Sequence, residues 1–170
     1  MDSNKNLVFL GMVGSGKSTL GKIVSKQLNR KFIDIDQLIE VQEGMTIYDI
    51  FQKKGESFFR QLEEKTSLKN LKRSNSVISL GGGAFINKKI QKEVLKNHIS
   101  IWLRWDNKNL IKRIKNSRKR PIAIQLNERD LNKLINERSK IYSKAKYQIK
   151  CDRLSKLELT RKIIELNDKS

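Results

Sequence analysis

The sequence predicts an α/β fold, a five-stranded parallel sheet with helices on both faces. Three observations predict it. Apolar runs at residues 7–10, 31–35, 77–80, 100–103 and 147–151 alternate with amphipathic stretches, the pattern of parallel strands joined by crossover helices. The first run leads directly into a glycine-rich turn and then into a stretch with Leu20, Ile23, Val24 and Leu28 on one helical face. The 170 residues, 37% of them hydrophobic, suit a single domain over residues 1–170 with a real core, and no repeat, low-complexity tract or linker divides them.

The first strand, Leu7-Val8-Phe9-Leu10, precedes Gly11-Met12-Val13-Gly14-Ser15-Gly16-Lys17-Ser18, a full Gly-x4-Gly-Lys-Ser phosphate-binding loop. Strand, glycine loop and helix is the setting in which this pattern works. Backbone N–H groups and the positive end of the helix together cradle a di- or triphosphate. Lys17 is placed to reach the β- and γ-phosphates, and Ser18 to put its hydroxyl on Mg²⁺. Asn29 then closes the helix as a left-handed cap.

The second strand ends Phe32-Ile33-Asp34-Ile35-Asp36, at the sheet edge where ligands of open α/β folds bind. Read as extended chain, Asp34 and Asp36 point the same way. Asp34 suits Mg²⁺ held through water, and Asp36 a hydrogen bond or proton from an acceptor hydroxyl. The plainer use of Asp36 is to cap a helix beginning at Gln37, and both uses can hold together. Thr46 with Asp49 three residues on resembles a capping box. Arg60 follows two aromatics, Phe58 and Phe59, expected to anchor its helix.

The third strand runs into Gly81-Gly82-Gly83, either a flexible turn or a wall of bare backbone for a small polar ligand. Arg138 lies four residues from both Leu134 and Tyr142, on the buried stripe of its helix. It either snorkels or meets an anion, and two arginines at one site suit a carboxylate. Pro121, the single proline, sits in a polar stretch at 115–127 with little apolar periodicity, which reads as a mobile lid. Six of the nine residues from Lys112 to Arg120 are basic, which fits a lid carrying positive charge, with Arg120 its foremost contact, or a nucleic-acid patch.

The net charge of +19 raises the nucleic-acid question for the whole chain. The lysines are spread through every helical stretch, and the aromatics do not interleave with them as a stacking platform requires. No apolar run nears the ~20 residues of a membrane span, and the N-terminus lacks a charged-then-apolar signal pattern. A cytoplasmic protein is expected, and a monomer, since no apolar stripe is left over. The lone Cys151 rules out an internal disulfide and reads as a small core residue. The lone His98 reads as a surface or helix-end residue.

Taken together, the loop at 11–18 continuing as Thr19-Leu20-Gly21, the Phe32–Asp36 segment with Glu40, Gly55-Glu56 with Phe59-Arg60 and Glu63, the glycine triplet, Arg120-Pro121-Ile122, and Arg138 with Tyr142 resemble the shikimate kinase family. Their order and spacing match over residues 7 to about 152. The resemblance implies a three-layer P-loop kinase fold of the nucleoside-monophosphate-kinase type, with a lid over about 112–127. It implies that Gly14, Ser15, Gly16, Lys17, Ser18 and Thr19 bind the phosphates of ATP, that Arg113 packs on adenine and that Arg120 covers the phosphates. Ser18 and Asp34 would serve Mg²⁺, the cofactor. Asp36 would bind shikimate and act as base for its 3-hydroxyl, with Arg60, Arg138 and a Gly82 N–H holding its carboxylate. Lys17, Asp36 and Arg120 would carry catalysis. ATP and shikimate would be the partners, without nucleic acid or membrane. Three departures are Ile35, where a small hydroxyl residue is usual, Ile122, where leucine is usual, and a segment after Asp152 without the proline often found near the adenine site. Rival readings are a kinase for a nucleoside monophosphate or sugar acid, and a non-catalytic or nucleic-acid-binding P-loop protein.

Overall fold

In the computed structural model, residues 5–116 and 126–170 are described. Five strands, β1 (Leu7–Leu10), β2 (Lys31–Asp34), β3 (Ser76–Ser79), β4 (Ile99–Arg104) and β5 (Tyr147–Lys150), form one sheet in the order β2-β3-β1-β4-β5, with every pairing parallel. The helices are α1 (Lys17–Gln27), α2 (Ile35–Glu43), α3 (Ile47–Leu71), α4 (Lys88–Asn97), α5 (Asn107–Lys115), α6 (Glu128–Tyr142) and α7 (Lys156–Asp168), with a 3₁₀ turn at Ala84–Ile86. The five strands expected from sequence are all present, shifted by a residue at some ends.

Alternation along the strands divides the core. Leu7 and Phe9 of β1 face one side, with Ile99, Ile101 and Leu103 of β4, and pack on Leu20 and Val24 of α1 and Leu159 and Ile163 of α7. Val8 and Leu10 face the other side, with Ile33 and Ile78, and meet the larger cluster built by α2 to α6. Buried on both faces, β1 reads as an unbroken apolar run and β3 buries all four of its residues, Ser76 and Ser79 included, whereas the edge strands β2 and β5 carry exposed residues. Burying a side chain such as Phe9 or Ile78 contributes about 1.5–3 kcal/mol over leaving it in water.

Local chemistry sets where the elements stop. Asn29 takes a left-handed φ of 50° after α1, as its place in the sequence suggests. At the start of α3 the Thr46 hydroxyl accepts the Asp49 N–H at 3.1 Å and donates to the Asp49 carboxylate at 2.7 Å, so Asp49 closes on the side chain of the cap. Gly55, with φ 83° and ψ 166°, breaks α3 into two helical segments; a residue with a Cβ is strained there. His98 does end α4, but its side chain is 7% exposed, so it is turned inward and not on the surface. Cys151 is a core residue, and burial pushes its thiol up to about 12.

One expectation is corrected. The second strand stops at Asp34, and Ile35 is already the first residue of α2, so Asp34 and Asp36 do not share an extended segment. Asp34, not Asp36, is the cap: its carboxylate accepts the Gln37 N–H at 3.2 Å. Ile35 is fully buried with Ile39, and that burial fixes the turn of helix on which Asp36 stands.

Candidate active site

The loop between β1 and α1 lies at the carboxyl edge of the central strand, beside the ends of β2 and β3. Gly14 and Gly16 have φ values of 80° and 95°. Gly16 is the N-cap of α1, and neither a capping side chain nor an acidic residue covers the helix's positive end. That leaves N–H groups directed out of the helix, as an anion site requires. Lys17 is buried, and its Nζ donates to the carbonyls of Gly11 at 2.8 Å and Met12 at 2.9 Å. The Ser18 hydroxyl donates to Asp34 Oδ2 at 2.5 Å. A hydroxyl beside a carboxylate is the hard oxygen pair that suits Mg²⁺, an ion commonly held by one or two protein oxygens with water and substrate phosphates. Thr19 is exposed one residue further on. From α5, Arg113 Nε donates to the Gly14 carbonyl at 2.7 Å.

In the glycine triplet after β3, Gly82 lines the same cavity as the phosphate loop. A Cβ on Gly81 would stand 2.6 Å from Glu63 Oε1 and 2.7 Å from Asp36 Oδ1, and one on Gly83 would stand 2.4 Å from Arg60 Nη1. Bare backbone is therefore required for these side chains to close in. The Gly82 carbonyl accepts from the Tyr142 hydroxyl and, at 3.4 Å, from Arg138 Nη1. Arg60 comes from the segment of α3 beyond the Gly55 break. Its guanidinium lies over Phe59 at 5.3 Å and Phe51 at 5.9 Å and bonds Glu63 at 2.7 Å and Glu56 at 3.3 Å. Only one of the two expected aromatic anchors serves: Phe59 is fully buried, while Phe58 is exposed under Lys54. Burial raises the Glu63 carboxyl above its ordinary 4.5, against the pull of Arg60 and Arg138. Arg138 is half-buried, and its Nε is buried with no hydrogen-bond partner among the described residues. A buried guanidinium N–H left open is costly unless an acceptor arrives.

One cavity of about 970 Å³ joins the phosphate loop to Asp36 and Gly82. Gly14, Gly16, Lys17, Ser18, Thr19, Asp34, Asp36, Gly82 and Arg113 all line it. Arg60, Glu63, Gly83 and Arg138 line a second cavity of about 500 Å³ on the far side of the triplet. Ser15 is buried within the loop and does not line the first cavity. Arg120, Pro121 and most of the lid expected over 112–127 lie outside the described residues.

Two features escaped sequence reasoning about the residues themselves. Glu63 had a signal, an acid three residues after Arg60 on a helix, which places the two side by side. Trp105 had none. It follows β4, and its indole N–H donates to the Ser15 carbonyl at 2.9 Å. Among the described residues no helix is long and apolar enough to cross a membrane, and no cluster of three or more His, Cys, Asp or Glu residues could hold a metal.

Comparison with known proteins agrees with this geometry. The shikimate kinase family model matches residues 13–167. A shikimate kinase of Sulfurihydrogenibium sp. (strain YO3AOP1) is 39% identical over 160 residues, covering 94% of this chain and 96% of the relative. The solved shikimate kinase of Acinetobacter baumannii in complex with shikimate superposes with a TM-score of 0.90 at 29% identity, over 97% of this chain and 93% of that one. The shikimate kinase of Aquifex aeolicus gives a TM-score of 0.86 at 31% identity, over 96% of each chain. With the phosphate loop, the paired aspartates and the two arginines all brought to one edge of the sheet, the chain belongs to the shikimate kinase family.

Proposed function

We propose that this chain transfers the γ-phosphoryl group of Mg²⁺-ATP to the 3-hydroxyl of shikimate, giving shikimate 3-phosphate and ADP. The observation that carries the reading is the shared cavity. A phosphate loop and a carboxylate, Asp36, both line it, and two arginines close on the adjoining glycine triplet from a second cavity.

The work divides between two halves. In the nucleotide half, the loop N–H groups, Lys17 and the end of α1 bind the phosphates. Lys17 already leans on loop carbonyls, so its charge is held within the loop before a phosphate arrives. Ser18 and Asp34 hold Mg²⁺, which when bound offsets negative charge on the phosphate oxygens. Arg113 packs on adenine, and Arg120 adds charge over the phosphates from the lid. In the acceptor half, Arg60 and Arg138 take the carboxylate by charge-assisted hydrogen bonds, with the Gly82 N–H as a further donor. The open Arg138 Nε is a donor that such a carboxylate satisfies. Asp36 orients the 3-hydroxyl. As that oxygen bonds to the γ-phosphorus and the bond to the β-phosphate oxygen breaks, the hydroxyl proton passes to the Asp36 carboxylate. Holding both reactants in line supplies much of the rate enhancement.

The reading includes one kinase domain over residues 1–170 with a lid near 112–127, acting as a cytoplasmic monomer without nucleic-acid or membrane partners. A coupled assay of ADP release with Mg²⁺-ATP tests it. Shikimate, gluconate, a panel of nucleoside monophosphates and no acceptor are compared. Release that depends on shikimate alone is the expected result. Release with another acceptor, or none from a folded, ATP-binding protein, overturns the acceptor assignment.

A further inference from the structure

We propose that Trp105 is a positioning residue for the nucleotide, acting through two neighbours at once. Its indole N–H donates to the Ser15 carbonyl at 2.9 Å, and its ring lies under the Arg113 guanidinium at 4.1 Å. Arg113 in turn bonds the Gly14 carbonyl at 2.7 Å. Two consecutive carbonyls of the phosphate loop are thereby tied to side chains that stack on each other.

The bond to Ser15 has a consequence for the phosphate site. In a trans peptide the carbonyl and the following N–H point in opposite directions. Drawing the Ser15 carbonyl toward the indole therefore turns the Gly16 N–H the other way. Gly16 lines the cavity and Trp105 does not. The Ser15 N–H is already engaged with the Met12 carbonyl at 3.2 Å, so Gly16 is the donor that Trp105 aims. The stack has a second consequence. An exposed arginine on a single helix ordinarily samples many rotamers and loses that freedom on binding. Here the indole and the Gly14 carbonyl hold the guanidinium in place beforehand, with the residue lining the cavity. A planar base entering from that side meets a cation already seated over an aromatic ring. Trp105 itself is anchored, packing against the cores on both faces of the sheet.

This inference rests on the reading that the cavity takes ATP, and the test separates the two. Binding of Mg²⁺-ATP and of tripolyphosphate, which has no base, is measured by calorimetry on the full chain, together with the KM values for ATP and shikimate. Trp105→Phe keeps the stack and loses the N–H, so both ligands should weaken by about three- to tenfold, the worth of one hydrogen bond. Trp105→Leu loses the stack too and should weaken ATP by about a further two- to tenfold, with no further loss for tripolyphosphate. The KM for shikimate should stay within about twofold, because its binding groups lie on α2, α3, α6 and the triplet. Unchanged ATP affinity in Trp105→Leu overturns the proposal. So does equal weakening of ATP, tripolyphosphate and shikimate, the mark of a merely structural role. A parent chain that does not bind Mg²⁺-ATP overturns the functional reading itself, and this inference with it.

Discussion

The phosphate loop draws its hydrogen bonds mostly from close at hand, while the acceptor half is assembled across the chain. Lys17 reaches carbonyls six and five residues back, at Gly11 and Met12. Arg138 reaches Gly82 across 56 residues and Met12 across 126. The donors also differ in kind. The loop offers backbone N–H groups and the end of a helix, which suit any phosphate. The far side offers two guanidinium groups and two carboxylates spaced by a glycine triplet. Phosphate recognition is thus a local property of the backbone, and acceptor recognition a property of side chains that only the complete fold brings together.

Removing one charge from each half should break the comparison most sharply. Lys17→Ala and Asp36→Ala should each lower kcat by about 10²–10³-fold, the cost of losing a group that acts on the transition state. The first should leave shikimate binding intact and the second ATP binding, as measured by calorimetry on the folded variants. If both variants lost both ligands, the two halves would not be separable.

A smaller effect should come from the carboxylate-binding arginines. Arg60→Ala or Arg138→Ala should raise the KM for shikimate by about ten- to a hundredfold, the worth of a charge-assisted hydrogen bond, with the KM for ATP within about twofold. Steady-state kinetics with each substrate varied in turn checks this. An unchanged KM for shikimate in Arg60→Ala would mean that the carboxylate binds elsewhere.

The smallest effect concerns pH. Burial raises the Glu63 carboxyl above 4.5, so the folded chain holds this proton more tightly than the unfolded chain. Its contribution to stability is whole below about pH 4.5 and is lost as pH rises through the raised value. Glu63→Gln should flatten that part of the decline, read as the difference between parent and variant in urea titrations from pH 4 to about 7. Identical slopes would show that Arg60 and Arg138 fully offset the burial of the carboxylate.

The phosphate loop and the alternation of strands and helices were legible before any coordinates, because both are written in contiguous residues. Lys17, Ser18 and the three glycines of the triplet needed only their neighbours to be read. The aspartate pair was half legible: both residues reach the cavity, but capping by Asp34 and burial of Ile35 convert the expected strand into a helix start. Arg138 was found through helical spacing, yet its partners Gly82 and Met12 could not be.

Hydrogen bonds within a turn and apolar periodicity depend on residues a few positions apart, so the one-dimensional pattern already decided the sheet, its covering helices and the loop that meets phosphate. The closing of Asp36 and Glu63 on Gly81, the bond from Trp105 to the Ser15 carbonyl, and the approach of Arg138 to Gly82 depend on segments far apart in the chain. Those contacts exist only once packing against the sheet has brought their elements together, and the tertiary structure alone decided them.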